Sequence, residues 1–277
     1  MFSILTATQG DAMKLFKFWA SEKVTITIDR QEKEIHCWGG SNTSLEEAKL
    51  RAREKANLVE RKIEGDEAAL ENYEAEIREE ILQVVDSKSI LSRNRYGAQV
   101  LNTEDLMFLD IDNPKFELAG LFKRGPKDPK QKIFEMVRKL AANPKYNMLG
   151  FRMYETFQGA RVIVLGRDFD PRETSTQNMM FDFNTDPLYA LLCAKQNCFR
   201  ARLTPKPGRM KMKGYRVKYP RQDDEARFQS WLKDYEYQSR NFSVCKFIEQ
   251  VGTIYSMPEA VQIHDDITGT RFNLPLA

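Results

Sequence analysis

Histidine and cysteine are scarce in this chain of 277 residues, which contains only two histidines and four cysteines. With only His36 and His264 available, a histidine-rich metal site or a Ser-His-Asp triad has little to draw on. The closest cysteines, Cys193 and Cys198, lie five positions apart, outside the spacing of about two to four residues that is typical of zinc sites. We therefore expect buried thiols in a reducing compartment.

Long hydrophobic runs are also missing. No stretch approaches the roughly 18 apolar residues of a membrane span, and the first residues lack the charged start and long apolar segment of a secretory signal. The composition, 42% apolar and 30% charged, is typical of a globular protein in water. We expect a cytoplasmic protein without a membrane partner, built as one large domain or two unequal ones.

Acidic side chains are absent from residues 200–221, although the whole chain has a net charge of only +3. Such a local excess of cations indicates an anionic partner, either nucleic acid or nucleoside triphosphates. Tyr215 and Tyr219 lie among the charges, where they could stack on bases. The alternative is a solvated basic loop. The nine basic residues of the segment are Arg200, Arg202, Lys206, Arg209, Lys211, Lys213, Arg216, Lys218 and Arg221.

Two aspartates close an apolar stretch at residues 105–112. Asp110 and Asp112 follow a run that is typical of a buried strand, and side chains two positions apart on a strand point to one face. Two carboxylates held that close repel each other unless a cation or a proton lies between them. Oxygen ligands favour Mg²⁺ or Mn²⁺. The alternative is that the pair caps a turn before Asn113-Pro114.

A Gly-containing turn follows between two further predicted strands, in the sequence Thr156-Phe-Gln-Gly159-Ala-Arg161. Gly159 would allow a phosphate to approach the backbone closely, and Arg161 could contact that phosphate. The alternative is an ordinary β-turn with an exposed arginine. Farther along, Arg200 and Arg202 would share one face of a strand and direct two guanidiniums the same way.

The pattern of elements divides the chain at about residue 85. Residues 1–85 contain a predicted β-hairpin that ends at Gly39-Gly40, a helix capped by Thr43 or Ser44, and a second amphipathic helix near residues 70–84. Residues 86–277 alternate strands and helices. We expect an α+β fold with a mixed or antiparallel sheet, flanking helices and the candidate metal and phosphate site in this second region.

The order of these motifs resembles the archaeo-eukaryotic primase-polymerase superfamily. The similarity covers about residues 90–220 and depends on Asp110-Ile-Asp112, Thr156-x-x-Gly159-x-Arg161 and Arg202-Leu-Thr-Pro-Lys206. It implies a primase-polymerase-like core in which Asp110 and Asp112 are catalytic metal ligands, while Arg161, Arg200, Arg202 and Lys206 bind the triphosphate or template.

The chain departs from that superfamily at two points. Arg161 stands where a nucleotide-contacting histidine is expected, and neither histidine lies near it in the sequence. A third acid is unassigned among Asp168, Asp170 and Asp182. Segments around Arg93-Asn-Arg-Tyr-Gly and Phe199-Arg-Ala-Arg-Leu are also similar to a bacterial protein family, a resemblance that implies no particular activity.

These observations favour a metal-dependent nucleotidyltransferase of primase-polymerase type that uses magnesium or manganese. A non-catalytic nucleic-acid-binding protein would use the basic segment and carry the aspartates structurally. A metal-dependent phosphohydrolase or nuclease would use the same acids for hydrolysis. In a fourth alternative, the basic segment docks on an acidic protein partner.

Overall fold

The computed structural model describes residues 12–28, 31–70, 75–113, 128–221 and 225–277. These ranges contain ten β-strands and six α-helices, and every pairing between the strands is antiparallel. The expected α+β class is therefore confirmed. The strands are β1 (Phe18–Ile28), β2 (Gln31–Ser41), β3 (Glu80–Val84), β4 (Ser89–Arg93), β5 (Gln99–Thr103), β6 (Phe108–Asp112), β7 (Gly150–Thr156), β8 (Gly159–Leu165), β9 (Phe199–Arg202) and β10 (Cys245–Gly252). The helices are α1 (Leu45–Ile63), α2 (Pro129–Ala141), α3 (Thr174–Asp182), α4 (Pro187–Gln196), α5 (Glu225–Ser239) and α6 (Glu259–Thr268).

The N-terminal elements form a hairpin, β1–β2, packed on α1. The helix begins as a capping signal predicts, because the Ser44 hydroxyl accepts the Glu47 N–H at 3.1 Å. The expectation that the hairpin ends at Gly39-Gly40 is wrong, since β2 continues to Ser41. At Gly39 a side chain would lie 2.3 Å from the Ala52 backbone nitrogen, so this glycine lets the strand approach the helix closely.

The predicted second helix near residues 70–84 is also wrong for residues 75–84, while residues 71–74 lie outside the described parts of the chain. A short 3₁₀ turn occupies Glu67–Leu70, and β3 follows at Glu80–Val84. Apolar residues three or four positions apart imitate a helical stripe there, but pairing of β3 with β4 determines the structure. That pairing joins residues on both sides of the expected boundary at residue 85.

Two four-stranded sheets form the centre of the protein. Their strand orders are β10-β7-β8-β6 and β3-β4-β5-β9. One apolar core contains side chains from both sheets, from Leu101 on β5 to Phe151 on β7, together with Ile133 on α2. The edge strands β6 and β9 contact each other where the sheets meet. This junction brings the aspartate strand beside the first two arginines of the basic segment.

Three features near the C-terminus differ from the sequence-based expectations or lie outside them. The alternation of Tyr215, Val217 and Tyr219 with basic residues predicts a strand at residues 215–219, but this segment is irregular, and Tyr215 packs against Phe228 and Trp231. The sequence offers Asp223 or Asp224 as the cap of α5, and both lie outside the described residues. Neither β10 nor α6 was predicted. No helix in the described parts of the chain has both the length and the apolar character needed to cross a membrane.

Candidate functional site

Strand β6 places the two aspartates side by side at the edge of its sheet. Leu109 and Ile111 are buried, whereas the Asp110 side chain is 47% exposed and Asp112 is exposed. Phe108, on the same face as the two aspartates, is buried as well, so this face of the strand becomes accessible only towards its C-terminal end. In the ladder with β8, Asp110 lies opposite Arg161 and Asp112 lies opposite Gly159. Residues of the Asp-x-Asp motif and of the Gly-containing turn are therefore direct neighbours.

A cleft of about 780 Å³ opens at the junction of the two sheets. Both sheets, α4 and several turns contribute to its walls. It brings together six of the seven site residues expected from the sequence, and it adds Arg209. Gly159 is not a wall residue, although its neighbours Gln158 and Ala160 are. The six residues are Asp110, Asp112, Arg161, Arg200, Arg202 and Lys206.

Gly159 is required by the neighbouring strand. A side chain at this position would lie 2.0 Å from the Ile111 carbonyl oxygen and 3.0 Å from the Asp112 Cα. The Asn113 N–H also donates to the Gln158 carbonyl at 2.9 Å, next to this contact. The glycine therefore lets β8 approach β6 closely. This close contact positions the Asp112 backbone at the end of β6.

Arg161 is a buried cation on the floor of the cleft. Its side chain is only 5% exposed, and its Nε lies 3.4 Å from Oδ1 of Asp110. Its Nη1 donates to the Arg202 carbonyl at 3.0 Å. The alternative of an exposed arginine in an ordinary turn is therefore wrong. Burial disfavours its charge, but the nearby Asp110 more than offsets this, and the pKa of Arg161 is raised.

His264 lies directly behind Arg161, at 3.4 Å from Nη1. The expectation that neither histidine is near this position is correct for the sequence and wrong for the fold, because α6 carries His264 into the core. Burial lowers the pKa of His264 to about 4, so the ring is neutral at pH 7. Its Nδ1 lies 3.0 Å from Asp265, so Nδ1–H is the donor and Nε2 accepts from Arg161.

Asp265 ends this buried chain and is held by two further donors. The Tyr154 hydroxyl donates to Oδ1 at 2.7 Å, and Arg152 donates to Oδ2 at 2.6 Å. Interactions with His264, Tyr154 and Arg152 together outweigh its burial and lower the pKa of Asp265. A continuous series of polar contacts thus runs from the carboxylate at the cleft, through Arg161 and His264, to a second carboxylate inside the protein.

Arg200 lines the cleft, but its charge is already compensated. Its guanidinium donates to Glu79 at 2.6 Å and to Asn102 at 2.8 Å. The Glu79 carboxylate also accepts the Ser92 hydroxyl at 2.6 Å. The sequence predicts that Arg200 and Arg202 both bind the triphosphate or template. The contacts with Glu79 and Asn102 hold the Arg200 guanidinium in place, so Arg202 is the more available cation.

Three cations of the cleft have no such compensation. Within the described residues, no carboxylate lies within ion-pairing distance of Arg202, Lys206 or Arg209. Burial and mutual repulsion lower the pKa of Arg202 to about 10 and that of Lys206 in the same direction. Burial likewise lowers the pKa of Arg209, although Asp110 and Asp112 oppose it. Cations crowded together in this way favour an anionic ligand.

Arg209 also joins two turns at the cleft. Its Nη2 donates to Gln158 at 2.8 Å, and its guanidinium lies 4.7 Å from the centre of the Phe157 ring. Sequence reasoning included Arg209 in the basic segment without singling it out as a site residue. Its position depends on the 3₁₀ turn Pro207–Met210, which begins with a proline directly after Lys206.

The rest of the basic segment lies elsewhere. Lys211, Lys213, Arg216 and Lys218 are exposed and do not line the cleft. Arg221 forms ion pairs with Glu80 and Glu225. The basic segment therefore contributes to two different surfaces. Within this segment, only residues 200–209 supply cations to the cleft that contains the aspartates.

The aspartate pair has the electrostatic character of a cation site. Burial raises the pKa of Asp112, and the nearby carboxylates of Asp110 and Asp186 raise it further. The Asp110 carboxylate therefore makes Asp112 harder to ionise, and a cation bound between them would relieve this repulsion. Mg²⁺ is often held by one or two carboxylates, with water and phosphate oxygens as its other ligands. The residues present fit such an ion.

A third acid, Asp186, lies near the pair, and sequence reasoning missed it. Its N–H donates to the Asp110 carbonyl at 3.0 Å, and its Oδ1 accepts the Tyr189 N–H at the start of α4. The dipeptide Asp186-Pro187 is a helix-start signal that could have identified Asp186 as a cap, but nothing in the sequence places it beside β6. The acids considered earlier have other contacts, Asp168 with Lys88, Asp170 with Arg172 and Asp182 with Lys145. In the described parts of the chain, no three histidine, cysteine or acidic side chains converge on a metal position.

Comparisons with known proteins identify no relative from which a function could be inferred. No protein-family model matches the sequence, no curated protein is significantly similar to it, and no solved structure matches it significantly. Function is therefore inferred from the cleft itself, which is lined by two adjacent carboxylates and by three cations that have no carboxylate partner among the described residues.

Proposed function

We propose that the cleft binds a nucleoside triphosphate together with Mg²⁺ or Mn²⁺, and that the protein is a metal-dependent enzyme of nucleotidyl-transfer type. One observation carries this proposal: Asp110 and Asp112 line the same cleft as Arg202, Lys206 and Arg209. A polyphosphate with its metal is the ligand class that needs carboxylates for the metal and cations for the remaining phosphate charge.

The chain's own residues divide these tasks. Asp112 and the exposed part of Asp110 would hold the metal, which when bound neutralises phosphate charge and favours attack at phosphorus. Arg202, Lys206 and Arg209 would hold phosphate oxygens, since their charges have no carboxylate partner within the described residues. Arg161 would orient Asp110 from below, because it is buried and contacts that carboxylate directly.

A second candidate is a non-catalytic protein that binds nucleotides or nucleic acid through the same cations. The Asp110–Arg161 ion pair favours this candidate, because a carboxylate already paired with a buried guanidinium is a weaker metal ligand. It predicts binding that weakens with salt and that does not respond to divalent metal.

Electron paramagnetic resonance of Mn²⁺ separates the two candidates. Titration of wild type with Mn²⁺ in the presence of a nucleoside triphosphate should show protein-bound Mn²⁺, and Asp112→Asn should lose it. Asp266→Asn, which changes an exposed acid on α6 away from the cleft, is the matched control. Bound Mn²⁺ that is equal in all three proteins would contradict the metal assignment.

The reaction is tested separately with labelled nucleoside triphosphates in Mn²⁺, with and without a primed template. Nucleotide transfer to the primer or to a second nucleotide supports the nucleotidyl-transfer proposal. Phosphate release or strand cleavage that depends on Asp112 would assign a phosphohydrolase or nuclease instead. Metal-independent binding without any turnover would favour the non-catalytic candidate.

We propose a cytoplasmic location on the basis of the thiols. All four cysteines are free and buried, an arrangement that suits a reducing compartment. Secretion of the protein from cells, with no pool retained inside, would contradict this assignment.

A further inference from the structure

A tight turn between β4 and β5 places Tyr96 at the wall of the cleft. The Asn94 side chain accepts the N–H groups of Tyr96 at 2.9 Å and of Ala98 at 3.1 Å. The Gly97 N–H donates to the Asn94 carbonyl at 2.9 Å, and Gly97 has a φ of +81°, which favours glycine. The backbone on both sides of the tyrosine is therefore fixed by hydrogen bonds.

Neighbouring elements hold the turn in place. A side chain at Gly97 would lie 2.4 Å from the Trp231 ring of α5, so the turn packs directly on that helix. The Arg95 carbonyl accepts the Val217 N–H at 2.9 Å from the other side. A side chain presented by a turn this well packed loses little conformational entropy when a ligand binds.

The Tyr96 ring is available to a ligand, unlike the other aromatic side chain of the cleft. Tyr96 is 43% exposed. Among the described wall residues the second aromatic is Tyr189, which is more deeply enclosed and whose hydroxyl accepts the Arg200 N–H at 3.3 Å. Tyr215, which the sequence suggested as a stacking residue, packs on Phe228 and Trp231 and does not line the cleft.

Charge around Tyr96 suits a nucleotide. The Arg95 guanidinium lies 4.9 Å from the ring centre and donates to the Tyr96 hydroxyl at 2.7 Å. Lys206, one of the three uncompensated cations, lines the same cleft as Tyr96. A ring supported by a guanidinium and placed beside phosphate-binding cations is the combination that binds an unpaired base next to its phosphates.

We propose that Tyr96 is the stacking surface for the nucleobase of the nucleotide whose phosphates bind at Arg202, Lys206 and Arg209. This inference rests on the proposed function and adds the substrate's base to it. Because every base has a flat π-face, stacking on Tyr96 accepts purines and pyrimidines alike. A bare polyphosphate has no base to stack on Tyr96, so the site binds a nucleotide more tightly than a polyphosphate.

Paired ligands test the inference. The affinities of ATP and of inorganic tripolyphosphate are measured by calorimetry in Mg²⁺ for wild type, Tyr96→Ala and Tyr96→Phe. We expect Tyr96→Ala to weaken ATP binding about tenfold or more and to leave tripolyphosphate binding unchanged. Tyr96→Phe retains the ring and should bind ATP nearly as wild type does. Tyr237→Ala, which removes an exposed tyrosine of α5 outside the cleft, is the control.

The outcomes separate this inference from the proposed function. Equal ATP affinity in wild type and Tyr96→Ala would overturn the stacking role, while metal-dependent tripolyphosphate binding would still support the phosphate site. An equal loss of ATP and tripolyphosphate affinity would also overturn it, because it would show that Tyr96 acts on the phosphates or on the fold. If wild type binds neither ligand, the proposed function fails and the stacking role fails with it.

Discussion

The Nε of Arg161 lies 3.4 Å from Oδ1 of Asp110, so a fully buried guanidinium supports one aspartate of the pair from beneath. Asp112, two positions along β6, has no equivalent partner within the described residues, and burial together with neighbouring carboxylates raises its pKa. The two aspartates therefore differ in what they do for the fold. Asp110 compensates the buried charge of Arg161, whereas the charge of Asp112 is disfavoured by burial and by repulsion from neighbouring carboxylates.

Substitution of each aspartate should accordingly change stability differently. Asp110→Asn leaves the Arg161 charge without its carboxylate and should lower the free energy of unfolding by about 1–3 kcal/mol. Asp112→Asn removes a disfavoured charge and should leave that free energy unchanged or slightly higher. Urea denaturation at neutral pH with a chelator measures both. Equal losses in the two variants would contradict the assigned difference.

The buried histidine predicts a pH dependence of stability. The pKa of His264 is about 4 in the folded protein, against about 6.5 in the unfolded chain. The unfolded chain therefore binds this proton first, and the free energy of unfolding should fall as the pH drops from about 6.5 to about 4, by up to roughly 3 kcal/mol. Denaturation of wild type and His264→Gln across this range measures the contribution.

In His264→Gln the loss of stability between these pH values should be smaller than in wild type. His36→Gln, at the exposed histidine of β2, is the matched control. A wild-type slope retained by His264→Gln would show that other groups produce the pH dependence.

The contact of Gly159 with β6 predicts a steric cost for any side chain. Gly159→Ala places a Cβ 2.0 Å from the Ile111 carbonyl oxygen, so β6 or β8 must shift. We expect a loss of about 1–3 kcal/mol in unfolding free energy and weaker Mn²⁺ binding, since Asp112 lies opposite. Gly214→Ala, where nothing lies within 4 Å, should have little effect. Thermal denaturation that is identical for the two variants would contradict this packing.

The crowded cations predict a separation of stability from binding. Arg202→Gln removes one of three mutually repelling charges, so the free energy of unfolding should not fall appreciably. Affinity for tripolyphosphate should fall about tenfold or more, because a charge-assisted hydrogen bond is lost. Lys213→Gln, an exposed cation outside the cleft, should leave affinity unchanged. Equal affinities in Arg202→Gln and Lys213→Gln would remove Arg202 from the phosphate site.

Local patterns predicted much of the fold. The apolar run at residues 105–112 predicted the strand and the shared face of its two aspartates, and the capping signal at Ser44 predicted the start of α1. The amphipathic stretch near residues 70–84 failed because apolar spacing alone does not distinguish a helix from a strand whose partner lies elsewhere in the chain.

The electrostatic partners could not be predicted, because they come from distant parts of the sequence. His264 contacts Arg161 across 103 positions, and Glu79 pairs with Arg200 across 121. A basic residue that is already paired with a carboxylate, as Arg200 is with Glu79, is less available to an anionic ligand. Composition identified the cationic segment, but only the fold separates the compensated Arg200 from the uncompensated Arg202.

The coupling between metal and phosphate tests the central claim most directly. Calorimetric titration of wild type and Asp112→Asn with tripolyphosphate, each with and without Mg²⁺, measures it. We predict that Mg²⁺ strengthens binding to wild type by about tenfold or more and gives no such gain in Asp112→Asn. The same response to Mg²⁺ in both proteins, or none in either, would contradict a shared site for the metal and the phosphates.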